Sequence, residues 1–248
     1  MSRRVSVVTG GSHGIGRAVA VQLAQRGERV VACGTDRAAL DALAVETNGA
    51  VEALVLDVTQ RDAVYRELLG LGPIHALVAA AGVCETASLE EDPDDAVWHR
   101  VLDVNLNGLY YTLKAAAPNL QKDGRVVIIS SGLGKLGRAR YHAYTASKHA
   151  ALGLMKCLSR ELAPRGITVN AVCPGWVDTR MARRDVALAG ERDGITADEA
   201  FADAVSGIAI GRFVTPDEVA SLIAYLTSEA AAAITGEAYN ISGGEFFA

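Results

Sequence analysis

Short β-branched and apolar runs recur from one end of this 248-residue chain to the other, each followed by a helical pattern. The runs lie at 5–8, 29–33, 51–56, 76–80, 125–130, 168–173 and 238–241; the helical patterns lie at 15–26, 37–47, 60–69, 96–120, 144–163 and 216–226. Strands apolar almost throughout, rather than alternating with polar residues, belong in a sheet covered on both faces. Strands that alternate with helices form parallel crossover units. The pattern therefore predicts an α/β fold, a doubly wound parallel sheet of about seven strands with helices on both faces, in one domain spanning 1–248. The last helix carries its own start signal: Thr215 as N-cap, Pro216 at the first position and Glu218 completing a capping box. One stretch, 178–211, breaks the rhythm with charges mixed among small residues, and is expected to be a substrate lid with short helices of its own.

Charge and cysteine usage narrow the partners. Lys plus Arg number 24 and Asp plus Glu 29, so the formal charge is −5, which argues against nucleic acid as a ligand. Cys33, Cys84, Cys157 and Cys173 have no CxxC spacing and sit mostly in apolar runs, the pattern of buried free thiols in a reducing compartment. No metal site is expected. Met1-Ser2-Arg3-Arg4 leads directly into the first apolar run without a signal-peptide core, and no apolar stretch approaches the ~20 residues of a membrane span. The expectation is a soluble, cytoplasmic protein with no membrane partner.

The first predicted strand runs into Thr9-Gly10-Gly11-Ser12-His13-Gly14-Ile15-Gly16, which opens the first helix. Glycines there let the backbone turn sharply and approach a pyrophosphate, while the helix N-terminus offers unpaired N–H groups and a partial positive charge. That context makes the loop a dinucleotide site in a Rossmann-type sheet, with Gly10, Ser12, His13, Gly14, Ile15 and Gly16 against the phosphates.

Further along, Tyr144 and Lys148 stand four apart on a predicted helix, one turn apart on the same face. An ammonium beside a phenol favours the phenolate, so Lys148 is expected to lower the Tyr144 pKa from its usual ~10 and to make it an acid–base group. Taken alone, Ser130 and Ser131 at a strand end could satisfy a turn, Asn105 could cap a helix kink, and Lys148 could be a solvated surface residue.

Thr9-Gly10-xxx-Gly14-x-Gly16, Asn105, Ser131, Tyr144-xxx-Lys148 and Pro174-Gly175-Trp176-Val177-Asp178-Thr179 together, in this order, closely resemble the short-chain dehydrogenase/reductase family over essentially the whole chain. The resemblance implies that Tyr144 donates a proton to a carbonyl oxygen or takes one from an alcohol, while Ser131 stabilises that oxygen. The family's spacing of thirteen residues to the tyrosine selects Ser131 over Ser130. By the same likeness, Lys148 tunes Tyr144 and holds the nicotinamide ribose, and Asn105 positions a water in a proton relay behind it. Asp57 and Val58 resemble the adenine-contacting pair, and Thr35, Ala81, Gly82, Pro174, Val177 and Thr179 fall at further cofactor positions, beside Tyr144 and Lys148.

Two positions depart from the family pattern. NAD-preferring relatives carry Asp where this chain has Gly34, and NADP-preferring ones often carry Arg where it has Thr35. With the repelling carboxylate missing, His13 at a loop position that is frequently basic in NADP-dependent relatives and Arg37 able to swing towards a phosphate, NADP(H) is favoured over NAD(H). Asp36 could equally cap the next helix. Ala79-Ala80-Ala81-Gly82 replaces the usual Asn-Asn-Ala-Gly, removing amides that would tie neighbouring strands.

The stretches 134–144 and 172–177 look most like aromatic polyketide ketoreductases and β-ketoacyl-acyl carrier protein reductases. The implied reaction is reduction of a β-keto thioester, on coenzyme A or a carrier protein, or of a polyketide-like ketone. Trp176, Tyr141 and His142 would wall the substrate site. Arg138, Arg140, Arg180, Arg183 and Arg184 would surround its entrance, receiving a phosphopantetheine phosphate or simply forming a solvated rim. The alternatives are an NAD-dependent dehydrogenase of a small cyclic alcohol or diol and, from another class, a catalytically silent scaffold protein. The family also implies a homotetramer, with the tail Gly243-Gly244-Glu245-Phe246-Phe247 offering apolar residues to bury between subunits.

Overall fold

The computed structural model describes residues 3–247; Met1, Ser2 and Ala248, the ends of the expected 1–248 span, lie outside the described residues. β1 (Val5–Thr9), α1 (Gly14–Gln25), β2 (Arg29–Gly34), α2 (Arg37–Glu46), β3 (Val51–Val55), α3 (Arg61–Gly70) and β4 (Ile74–Ala79) make the first half. Then come α4 (Ala96–Leu102), α5 (Leu109–Ala116), β5 (Leu120–Ile129), α6 (His142–Leu162), β6 (Thr168–Pro174), α7 (Arg180–Asp193), α8 (Ala197–Ser206), α9 (Pro216–Leu226) and β7 (Ala238–Ile241). The seven strands form one sheet in the order β3-β2-β1-β4-β5-β6-β7, and every pairing is parallel.

Successive strand residues point to opposite faces, and here both faces are buried. Val7, Val31, Leu77 and Val126 face α3, α5 and α6; Val8, Val30, Val78 and Val127 face α1, α2 and α9. Almost unbroken apolar strands are the consequence. The chain leaves β1 to build β2 and β3 on one side, then returns to build β4 to β7 on the other. A crevice opens beyond the carboxyl ends of β1 and β4, where this reversal occurs.

The 178–211 stretch does form helices of its own, α7 and α8. They carry a small separate core in which Ala182, Val186 and Ala200 meet Ile208 and Phe213, with Trp176 stacked on Phe213 at 5.4 Å. The Thr215 capping box is present, with Thr215 accepting from the Glu218 N–H at 3.2 Å and Glu218 accepting from the Thr215 N–H at 2.7 Å.

Four expectations are corrected. The uninterrupted helix expected over 96–120 is broken by a π-helical turn at Asp103–Gly108 and stops at Ala116. A one-residue widening of the helix is invisible to apolar periodicity. The fifth strand begins at Leu120, five residues early, because Leu120 pairs with Ile74 before a register shift that Asp123, at φ 60°, accommodates. Cys157 is exposed on α6, unlike the buried Cys33 and Cys173. Of the two tail aromatics only Phe247 is exposed; Phe246 packs on Gly132, where a Cβ would lie 2.4 Å from its ring.

The switch point depends on glycine. Gly10 has φ +69°, and a Cβ there would stand 2.7 Å from the Ala80–Ala81 peptide. Gly10→Ala is expected to lower unfolding free energy by ~2–4 kcal/mol, from backbone strain and overpacking together. Urea unfolding midpoints measure this; a loss below ~0.5 kcal/mol would refute the constraint.

Candidate active site

A cleft of about 2030 Å³ runs along the carboxyl ends of the strands and is lined on one side by α7 and α8. It exceeds the ~300–1,000 Å³ of an ordinary ligand pocket, leaving room for a long cofactor and a substrate together. Its floor at one end is the glycine loop, where the N-cap of α1, His13, is extended and makes no side-chain cap, leaving first-turn N–H groups for an anion. Gly14 lies under Thr179, whose methyl would be 3.2 Å from a Cβ at 14, and a Cβ on Gly16 would lie 2.2 Å from the Gly10 carbonyl oxygen. Bare backbone lines this cradle because side chains do not fit, and the residues present suit a dinucleotide pyrophosphate.

All positions expected at the cofactor line this cleft: Gly10, Ser12, His13, Gly14, Ile15, Gly16 and Thr35, then Asp57, Val58, Ala81 and Gly82, then Pro174, Val177 and Thr179. Ser131, Tyr144 and Lys148 line it too; Asn105 does not. The missing amides after β4 are offset by backbone, since the Ala80 N–H donates to the Thr9 carbonyl at 3.2 Å.

The end of β5 and the start of α6 bring the polar centre together. α6 carries Tyr144 and Lys148 on one face, and β5 ends at the two serines. Ser131 hydrogen-bonds the Tyr144 side chain and accepts the Leu133 N–H at 3.1 Å. Ser130 turns away and donates to the Lys148 carbonyl at 2.9 Å, so it is Ser131 that meets the phenol. Lys148 Nζ donates to the Ile129 carbonyl at 2.9 Å and lies 5.5 Å from the centre of the Tyr144 ring.

Asn105 sits in the π-helical turn, 2 % exposed, with its amide fully engaged. Oδ1 accepts the Val83 N–H at 2.8 Å, while Nδ2 donates to the Val83 carbonyl at 2.9 Å and to Ser147 Oγ at 3.1 Å. Ser147 in turn donates to the Tyr144 carbonyl at 2.7 Å. The observed position thus ties the loop after β4 to the helix that carries Tyr144.

The electrostatics differ from the sequence expectation. Burial, with the Cys84 thiol and Asp185 adding to it, pushes the Tyr144 phenol above its ordinary value, against the pull of Ser131. Lys148 does not lower it; burial instead lowers Lys148 itself to about 8. The physical reason is desolvation, which disfavours phenolate and ammonium alike when both leave water. Tyr144 is therefore a protonated donor throughout the neutral range, and Lys148 is an ammonium only below about pH 8.

Several other side chains lie where the sequence did not put them. His142 does not line the cleft; it packs on Trp98 of α4, ring centres 6.4 Å apart. Trp176 and Tyr141 do line it, bridged by Arg138, whose guanidinium lies 5.2 Å and 5.6 Å over their rings. Arg138 pairs with Glu245 at 3.2 Å, Arg140 with Glu91, and Arg183 with Asp178, which leaves Arg180 and Arg184 lining the cleft without an ion pair among the described residues. Glu245 and Phe246 of the tail, Cys84 and Asp185 also line the cleft. Nothing in their local sequence marks them. Among the described residues no three His, Cys, Asp or Glu side chains gather to hold a metal ion, and no helix is long and apolar enough to cross a membrane.

Residues 10–245 match the family model described as enoyl-(acyl carrier protein) reductase. The 3-oxoacyl-[acyl-carrier-protein] reductase of Thermotoga maritima is 35% identical over 254 residues, covering 97% of each chain. The D-beta-hydroxybutyrate dehydrogenase of Cupriavidus necator is 32% identical over 256 residues, covering 98% of each. Among solved structures, actinorhodin polyketide ketoreductase with NADPH superposes with a TM-score of 0.91 at 35% identity, covering 98% of this chain and 97% of that one.

Burying Lys148 has a measurable consequence. The unfolded chain titrates this lysine near 10.5 and the folded protein near 8, so between those values the unfolded state holds more protons and stability rises with pH. Fully developed, the difference is on the order of 3 kcal/mol, from about 1.4 kcal/mol per pKa unit. Lys148→Met lacks this contribution. Its melting temperature minus that of the wild type should fall by roughly 5 °C or more between pH 7 and pH 9.5; a difference independent of pH would contradict the lowered pKa.

Proposed function

The chain belongs to the short-chain dehydrogenase/reductase family of nicotinamide-dependent oxidoreductases, and from that premise we propose that it reduces a ketone to a secondary alcohol, with Tyr144 as the general acid. The observation that carries this reading is the constellation at the glycine-lined cleft, where α6 presents Tyr144 and Lys148 on one face with Ser131 beside the phenol. A protonated phenol suits donation to a carbonyl oxygen as charge develops there.

When bound, the nicotinamide supplies the hydride. The chain's own residues do the rest. The Gly10–Gly16 loop and Thr179 would hold the phosphates, and Lys148 together with Tyr144 would hold the nicotinamide ribose. Ser131 donates to the substrate oxygen, sharing its developing charge with Tyr144. Asn105, through Ser147 and Val83, keeps α6 in register with the loop after β4. The lid helices and Trp176 exclude water from the reacting atoms.

NADP(H) is the cofactor this reading favours. No carboxylate stands at the end of β2, because the space beside Gly34 is taken by Ser12 Oγ, 2.1 Å from where a Cβ would be. Asp36, the nearest acid, is occupied: it caps α2 through the Ala39 N–H at 3.0 Å and pairs with His13 at 2.9 Å. Arg37 is exposed in a long ion pair with Asp41, 3.8 Å apart, which it would exchange for a 2′-phosphate. The names of the relatives support a β-keto thioester or a polyketide-like ketone as substrate. The family likeness also supports a homotetramer, and Trp98 and Tyr110 expose apolar surface on α4 and α5.

Three measurements test these points. Tyr144→Phe keeps the ring and should cut kcat for ketone reduction by ~100-fold or more; near-native turnover would overturn the acid assignment. Steady-state assays with acetoacetyl thioester should give a kcat/KM at least ~10-fold higher with NADPH than with NADH, and the reverse ratio would overturn the cofactor preference. Light scattering on the eluted protein should give four times the chain mass; a monomer would exclude the tetramer.

A further inference from the structure

α7 and α8 bring three carboxylates to the cleft, Asp185, Asp193 and Asp203, and of these Asp185 meets the catalytic helix. Asp185 of α7 faces the start of α6, where its Oδ2 accepts the Tyr141 hydroxyl at 2.6 Å. Both residues line the cleft, and Tyr141 lies one helical turn before Tyr144. A latch holding the lid down would need nothing more than this bond.

Two observations go beyond a latch. No donor among the described residues reaches the other carboxylate oxygen, Oδ1. That oxygen is not sealed from solvent, so it is an acceptor open to the cleft, and partial burial raises the Asp185 pKa above the ordinary carboxylate range. The surroundings then restrict what that donor is. The guanidiniums of Arg138, Arg192 and Arg184 all act on Asp185. Those cations raise the cost of placing an ammonium donor beside Asp185, whereas a neutral hydroxyl donates to Oδ1 without that repulsion.

Resting on the ketone-reductase reading above, we propose that Asp185 and Tyr141 form a second polar subsite, in which Asp185 Oδ1 accepts a hydrogen bond from a hydroxyl or enol group that the substrate carries apart from its reacting carbonyl. The substrate class is then a ketone bearing a second oxygen function, on a ring or an extended chain, rather than a simple ketone. The subsite makes and breaks no covalent bond; it orients the substrate so that its carbonyl meets Ser131 and Tyr144.

The test compares α-tetralone with its ring-hydroxylated isomers, using the reduced cofactor, in the wild type and in Asp185→Asn. Asparagine keeps the size and still accepts the Tyr141 hydroxyl, but turns an N–H towards the cleft in place of an acceptor. The ratio of kcat/KM for a hydroxylated isomer to that for α-tetralone, taken on one preparation, cancels any folding or lid defect common to both. In the wild type the best isomer should exceed the parent by ~10-fold or more, chiefly through KM, and the ratio should drop by ~10-fold or more in Asp185→Asn. A ratio near one for every isomer in the wild type, or an unchanged ratio in the variant, would overturn the subsite, reduce Asp185 to a lid latch and leave the ketone reading standing. Wild-type protein that reduces no ketone of the panel would bring down the ketone reading and the subsite with it.

Discussion

The peptide at Gly10 and the peptide joining Ala80 to Ala81 approach so closely that a single methyl group between them would stand 2.7 Å from backbone atoms. This contact is made where β1, the middle strand of the reversal, meets β4. It lets the loop after β1 lie flat over the sheet, which in turn points the start of α1 into the crevice and leaves its first-turn N–H groups for phosphate. Gly16 repeats the device against the Gly10 carbonyl. Without side chains at these positions the strand ends close into an open shelf, and every functional group found at the cleft is arranged around that shelf.

On the other side of the crevice the controlling force is desolvation. α6 is bound along its length by Ser130 to the Lys148 carbonyl, by Asn105 through Ser147, and by Lys148 to the Ile129 carbonyl. That anchoring places a phenol and an ammonium group in a buried setting, where the neutral form of each is favoured. The site therefore holds a proton donor ready, at a cost in stability that the large two-faced sheet core offsets. Ordinary cores avoid such placements; a buried lysine without a carboxylate partner is a mark of chemistry.

The repeating part of the fold was legible because its cause is local. Val7 and Val8, or Val126 and Val127, bury on opposite faces, so a doubly covered strand shows itself as an apolar run. Likewise Thr215, Pro216 and Glu218 act within one turn. The π-helical turn at Asp103–Gly108 left no such trace, since it changes the helix by one residue without altering the apolar pattern. Of the candidate site, the glycine loop and the Tyr144–Lys148 spacing were readable for the same reason of short range. The partners of His13, Arg138 and Asp185 were not, because each is met by an element far away along the chain: α2, the C-terminal tail and the start of α6.

The sequence by itself therefore determined the order of strands and helices, the glycine shelf and the identity of the residues on one face of α6, all consequences of spacings within a turn or two. Only the tertiary structure decided that the phenol pKa rises rather than falls, that His142 leaves the cleft, and that Asp185 and Glu245 reach it. The physical reason is that burial and charge pairing depend on what folds over a residue. That covering comes from the lid and the tail, segments remote in sequence whose charges look, on their own, like a solvated surface.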